Sequence, residues 1–126
     1  MLVDTDVIVD AARGVGGATA LLEQYEAASP LAISAITEME LVVGCRDRAE
    51  LRHLDRFLRR FRIAPLTPRV SAEGARLVRR YRLSHGLLIP DALIAATAMD
   101  LSLPLLTGNH RDFRFIPDLN LVVYRP

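Results

Sequence analysis

Lysine is absent from this 126-residue chain: all sixteen basic residues are arginine, so any chemistry that needs a lysine ammonium group is closed to it. A single cysteine, Cys45, excludes an internal disulfide. It lies in the apolar stretch Leu41 to Cys45 and reads as a buried thiol in a reducing compartment. No apolar run approaches the roughly 18 residues needed to span a bilayer, and Met1-Leu2-Val3-Asp4 carries no basic leader, which together point to a cytoplasmic protein without a membrane role. Internal repeats, low-complexity tracts and linkers are also missing. None of the three histidines has metal-ligand spacing.

What is present describes one globular domain over residues 1–126. Half the residues are hydrophobic (51%) and a quarter charged (25%), enough to bury a core without staples. The net charge of +1 hides an uneven distribution. From Met1 to Glu40 seven acids face only Arg13, a local charge of −6, whereas from Arg46 to Arg62 seven arginines face three acids, a local charge of +4. An acidic pocket beside a basic surface is therefore compatible with a nearly neutral total.

Short apolar runs alternate with helical patterns. Leu2-Val3 precedes helices over Val7 to Ala12 and Ala18 to Ala28, and Leu31 to Ser34 precedes Glu38 to Gly44. Ile63 to Leu66 precedes Val70 to Leu83, and the helix Asp91 to Leu101 leads to the runs Leu103 to Leu106 and Leu121 to Tyr124. That rhythm predicts an α/β fold, helices crossing over a mostly parallel, buried sheet. Thr67-Pro68 has the form of a helix cap and first helical residue, His85-Gly86 of a helix end, and Pro90-Asp91 of a helix start. Gly14-Val15-Gly16-Gly17 follows a helix rather than a strand and reads as a turn.

In such sheets ligands bind beyond the carboxyl ends of the strands, and acids recur there. Asp4 follows the first strand, Glu40 the second, Asp91 opens an alanine-rich helix, and Asp112 follows the fourth strand through Thr107-Gly108-Asn109. Each has a structural alternative. Helix starts attract acids, and Thr37 to Glu40 has the form of a capping box in which Glu40 bonds back to the Thr37 N–H. Convergence on one sheet edge favours the functional reading, because two carboxylates about 4 Å apart repel by about 4 kcal/mol at a surface-like dielectric and require a cation. Oxygen donors alone suit Mg²⁺ or Mn²⁺ better than zinc.

Four segments in order carry a family resemblance. They are Leu2-Val3-Asp4-Thr5-Asp6-Val7-Ile8, then Ile36 to Gly44, Ile89 to Ala98, and Leu106-Thr107-Gly108-Asn109-His110-Arg111-Asp112-Phe113. Together they resemble the VapC-type PIN domains, ribonuclease toxins of toxin–antitoxin pairs. The resemblance implies a three-layer α/β/α sandwich. It also implies an acidic Mg²⁺ or Mn²⁺ site of Asp4, Glu40, Asp91 and Asp112, with Thr5, Asp6, Thr107 and Asn109 as supporting polar groups. Asp6 departs from the Asn or Ser usual at its position and adds either a ligand or negative charge. The implied partners are structured RNA as substrate, a VapB-like antitoxin whose arginine enters the acidic pocket, and a second copy in a homodimer.

A bound divalent ion would activate water toward a phosphodiester, with Asp4 and Asp91 as main ligands, Glu40 as ligand or water-orienting base, and Asp112 as a ligand through water or to a second ion. For substrate, Arg48, Arg52, Arg56, Arg59 and Arg60 share one arc of a helix at about 100° per residue, opposite Leu51, Leu54, Phe57, Leu58 and Phe61. That face is either merely solvated or a phosphate-binding surface. Two other functions compete. Asp4-Thr5-Asp6-Val7 also resembles the first motif of haloacid-dehalogenase-type phosphohydrolases, a family that needs the lysine and cap this chain lacks. A catalytically silent PIN-fold module binding RNA or protein would be expected to have a broken acid set, and all four positions are filled.

Overall fold

The computed structural model describes all 126 residues. Five short strands, β1 (Leu2–Val3), β2 (Leu31–Ser34), β3 (Phe61–Ala64), β4 (Leu105–Thr107) and β5 (Leu121–Val123), form one sheet in the order β3-β2-β1-β4-β5. Every neighbouring pair is parallel, with Leu2 opposite both Ala32 and Leu105. Parallel pairing requires crossovers, and helices supply them. They are α1 (Thr5–Ala12), α2 (Gly16–Ala28), α3 (Ala35–Val43), α4 (Arg48–Leu58), α5 (Pro68–His85), α6 (Ile89–Asp100) and the single turn α7 (His110–Phe113).

Strand alternation divides the interior in two, because successive side chains point to opposite faces. Leu2, Ala32 and Leu105 pack with Val70 and Leu77 of α5 and with Ala92, Ile94, Ala95 and Ala98 of α6. Val3, Leu31, Ile33 and Leu106 pack on the other face with Val7 and Ile8 of α1, Ala18 and Leu22 of α2 and Leu58 of α4. The result is the expected three-layer α/β/α sandwich. Alanines bury α6 on nearly every side and leave it no polar stripe. Small side chains also let α5 come close: a Cβ on Gly74 would lie 2.8 Å from Leu93 Cδ2.

Most helix boundaries follow the local signals. Thr67 Oγ1 accepts from the Val70 N–H with Pro68 at the first helical position, and Gly86 ends α5 in the left-handed region at φ 70°. Gly14, at φ 76°, makes the turn between α1 and α2. Two expectations are corrected and one structural alternative is set aside. The third strand runs over Phe61–Ala64 rather than Ile63 to Leu66, because Phe61 and Ala64 are its buried residues and Pro65 has no N–H to continue the ladder. Phe61 is thereby a strand residue and not part of the apolar arc of α4. The capping box at Thr37 does not form: Ser34 caps α3 by accepting from the Ile36 N–H, which places Thr37 inside the helix and Glu40 in its second turn. Cys45 is half-buried rather than fully buried, its Sγ 3.5 Å from the Leu41 carbonyl.

Candidate active site

The chain enters the sheet at its centre, winds outward to β3, and returns through α5 and α6 to β4 on the other side of β1. The strand order therefore reverses between β1 and β4, the place where open parallel sheets bind ligands. Asp4 stands there. It is buried, with only 3% of its surface exposed, and caps α1: Oδ1 accepts from the Thr5 N–H at 2.8 Å and Oδ2 from the Thr107 hydroxyl of β4 at 2.7 Å. The Thr107 hydroxyl in turn accepts from the Asn109 N–H at 2.9 Å. Thr107 thus ties β4 to Asp4. Asn109 contributes its backbone, and its exposed side chain makes no hydrogen bond within the site.

Asp6 is held in a cradle. Its Oδ1 accepts from the Val7 N–H and its Oδ2 from the Gly108 N–H, both at 2.9 Å. A Cβ at 108 would sit 2.6 Å from Asp6 Oδ2 and 3.3 Å from the Tyr124 ring, so a side chain there would have to displace the Asp6 carboxylate. Tyr124 closes the cradle from the chain's end, its hydroxyl donating to Asp10 Oδ2 at 2.8 Å. Each oxygen of Asp6 accepts one backbone N–H, so Asp6 pins the β4–α7 turn against α1 and adds charge beside Asp4.

Glu40 reaches the same edge from α3. Its Oε1 accepts from the Thr5 hydroxyl at 2.7 Å, and Thr5 Oγ1 lies 3.0 Å from that of Thr37, a fully buried residue one turn before Glu40. Sequence reasoning missed Thr37 as a site residue. The i,i+3 spacing of Thr37 and Glu40 on a helix is the signal that carries it.

Asp91 is half-buried in the first turn of α6 and makes no side-chain hydrogen bond, and Asp112 is exposed in α7. The two border a cavity of about 160 Å³ with His85, Gly86, Leu87 and Leu88.

The electrostatics follow from burial and crowding. Asp4 is pushed up to about 7, first by burial and then by the charge of Asp6, with the Thr107 and Thr5 bonds opposing and Asp91 adding a smaller push. The favourable α1 N-terminus, worth at most about 2 kcal/mol, does not reverse this. Asp91 rises to about 6 through burial, then Asp112, Glu40 and Asp6, and Asp6 is also raised, chiefly by burial. No arginine offsets these charges, since all four ion pairs, Arg46–Glu50, Arg60–Glu26, Arg69–Asp100 and Arg76–Glu73, lie elsewhere. Uncompensated carboxylates with oxygen donors only suit a hard divalent cation. As the side chains stand, no three acidic groups are close enough together to hold one ion; Asp4, Asp6, Asp91, Asp112 and Glu40 influence one another through space.

The PIN domain family model matches residues 1–118. The chain belongs to the PIN-domain family. Within it the chain stands with the VapC-type ribonuclease toxins: it is 40% identical to ribonuclease VapC19 of Mycobacterium tuberculosis over 120 residues, 94% of this chain and 95% of that one. It is also 41% identical to ribonuclease VapC10 of the same organism over 110 residues, 86% of this chain and 82% of that one. Among solved structures, a toxin–antitoxin complex from Klebsiella pneumoniae contains a chain 32% identical, with a TM-score of 0.82 and coverage of 98% of this chain and 97% of the other. VapBC2 from Rickettsia felis, bound to a DNA fragment from its promoter, gives 27% identity, a TM-score of 0.85 and 98% coverage of each chain. Membership in the PIN family sets aside the haloacid-dehalogenase alternative.

On its surface α4 presents Arg48, Arg52 and Arg56, all exposed and free of ion pairs, with Arg59 just past its end. Arg60 leaves this set. It lies beyond the helix, half-buried, with Nε donating to Glu26 at 2.9 Å and its guanidinium 5.5 Å from the Phe57 ring centroid and 5.8 Å from that of Phe61. A groove of about 610 Å³ runs between α1, α3 and α4. Val9, Ala12, Leu41, Cys45, Leu54 and Phe57 give it apolar wall, and Thr5, Arg13, Glu40, Glu50 and His53 line it with polar and charged groups. Val7 and Ile8, by contrast, are consumed by the domain's own core.

Proposed function

We propose that this VapC-type PIN domain hydrolyses phosphodiester bonds in structured RNA at a Mg²⁺ or Mn²⁺ site held chiefly by Asp4 and Asp91, with Glu40 and Asp112 completing the acidic set. The observation that supports it is the buried, uncompensated Asp4 at the β1/β4 switch point, tied to Thr107 and crowded by Asp6 and Asp91. A bound divalent ion supplies Lewis acidity, lowering the pKa of water and offsetting charge on the phosphate. The protein's part is placement. Thr107 and the Thr5 N–H fix Asp4, and the Thr5 hydroxyl fixes one oxygen of Glu40, leaving its other oxygen to accept a proton from attacking water. Asp91 carries no protein hydrogen bond, so both its oxygens remain available, and the exposed Asp112 serves through water or toward a second ion. Arg48, Arg52, Arg56 and Arg59 contact substrate phosphates.

The partner is a VapB-like antitoxin. Its apolar segment lies in the groove between α1, α3 and α4, and an arginine beside Glu40 bonds the carboxylates in place of a cation. The functional unit is a homodimer in the cytoplasm. Incubation of purified protein with an RNA pool in Mg²⁺, Mn²⁺ or EDTA tests the reading. Cleavage only with a divalent ion is expected, and cleavage undiminished by EDTA would overturn it. Peptides from the neighbouring reading frame should inhibit less as Mg²⁺ rises, and sedimentation should give twice the chain mass.

A further inference from the structure

An aromatic cluster at the end of α5 plays no part in the acidic site, yet borders it. His85, in the last helical turn, stacks on Phe115 with ring centroids 4.2 Å apart and planes only 14° from parallel. Tyr81, one turn earlier, meets Phe115 at 5.1 Å and the edge of His85 at 5.9 Å, while Ser84 Oγ lies 2.8 Å from His85 Nδ1. The imidazole is thus held on one face and at one nitrogen. It is nonetheless exposed, whereas Phe115 and Tyr81 are half-buried, so packing of the domain does not account for it. His85 also forms part of the wall of the 160 Å³ cavity that Asp91 and Asp112 border.

We propose that the His85–Phe115 stack is a platform for one unpaired nucleobase of the RNA, seated beside Asp91 and Asp112. The inference rests on the ribonuclease reading above and adds to it what the site grips. A flat, backed and exposed ring accepts the π-face of any base, whereas bases in a continuous duplex are already stacked and out of reach. Arg111 in α7 and Arg114 just after it, both exposed and free of ion pairs, offer charge to the flanking phosphates.

The test measures binding by fluorescence polarisation in an Asp91→Asn background, so that no strand is cut, with Mg²⁺ present. The probes are a short labelled oligouridine, the same strand with its bases removed, and an RNA duplex of equal length. His85→Ala is expected to weaken oligouridine binding about tenfold, His85→Phe to restore it, and neither to alter binding of the abasic strand or the duplex. Thermal midpoints check that both variants fold. Unchanged oligouridine binding by His85→Ala, failure of His85→Phe to rescue, or an equal loss with the abasic strand would each overturn the platform. If those results come with intact RNA cleavage by the wild type, the platform fails and the ribonuclease reading stands. A parent protein that neither binds nor cuts any RNA overturns both.

Discussion

Replacing Asp4 with asparagine should destroy the ion site and at the same time stabilise the protein when no divalent ion is supplied. The folded chain holds the Asp4 carboxyl near 7, against 3.8 ordinarily, so its protonated form favours folding. That contribution is fully present below about pH 4 and is lost as pH rises through about 7. At about 1.4 kcal/mol for each tenfold change in proton affinity, the ionised side chain costs about 4 kcal/mol at pH 8. Asparagine removes the charge but has one acceptor oxygen where the carboxylate uses two, for the Thr5 N–H and the Thr107 hydroxyl, a loss of about 1 kcal/mol. The net gain of about 3 kcal/mol corresponds to about 10 °C in Tm for a domain of this size. At pH 5, where Asp4 is largely protonated, the gain shrinks below about 1 kcal/mol. Thermal unfolding in EDTA at pH 5 and pH 8, then at pH 8 with Mg²⁺, measures this. Mg²⁺ should raise the wild type more than the variant, because only the wild type keeps the full site. An Asp4→Asn protein that melts no higher than wild type at pH 8 in EDTA would refute the reasoning.

Apparent Mg²⁺ affinity should climb between pH 5 and pH 8, since Asp91 near 6 and Asp4 near 7 must lose protons to bind, and a flat calorimetric titration across that range would count against these two as ligands. Charge reversal at Arg52 and Arg56 together should weaken RNA binding and reduce its salt dependence by a slope of about 2, with Mg²⁺ affinity unchanged; an unaltered slope would return α4 to a solvated face. Gly108→Ala should push the Asp6 carboxylate out of its cradle, lowering both Tm and cleavage, whereas wild-type behaviour in both would show that the turn yields without consequence.

The layered fold was legible because its signals are local. Buried parallel strands read as short apolar runs, and Thr67-Pro68 and His85-Gly86 mark both ends of α5 by caps that need no distant partner. The acids after β1 and β4 were legible for the same reason, as topology alone puts strand ends together. Where the sequence misled, a tertiary contact decided the outcome. Phe61 continues the apolar arc of α4 in pattern, but burial beside Leu58 and Leu31 draws it into β3. Arg60 lies on the basic arc by angle and is taken by Glu26, 34 residues away in sequence. The Gly108 cradle, the Thr37–Thr5–Glu40 chain and the His85–Phe115 stack join residues far apart in sequence, and no periodicity within one segment can announce them.

The most direct test of the central claim, that carboxylates gathered at the β1/β4 switch point cut RNA with a divalent ion, is the cleavage rate of one RNA by wild type and Asp91→Asn, both shown to be folded, at saturating Mg²⁺. A loss of at least about a hundredfold is expected, the scale of one well-placed group in an active site. Cleavage by Asp91→Asn at the wild-type rate would contradict the account.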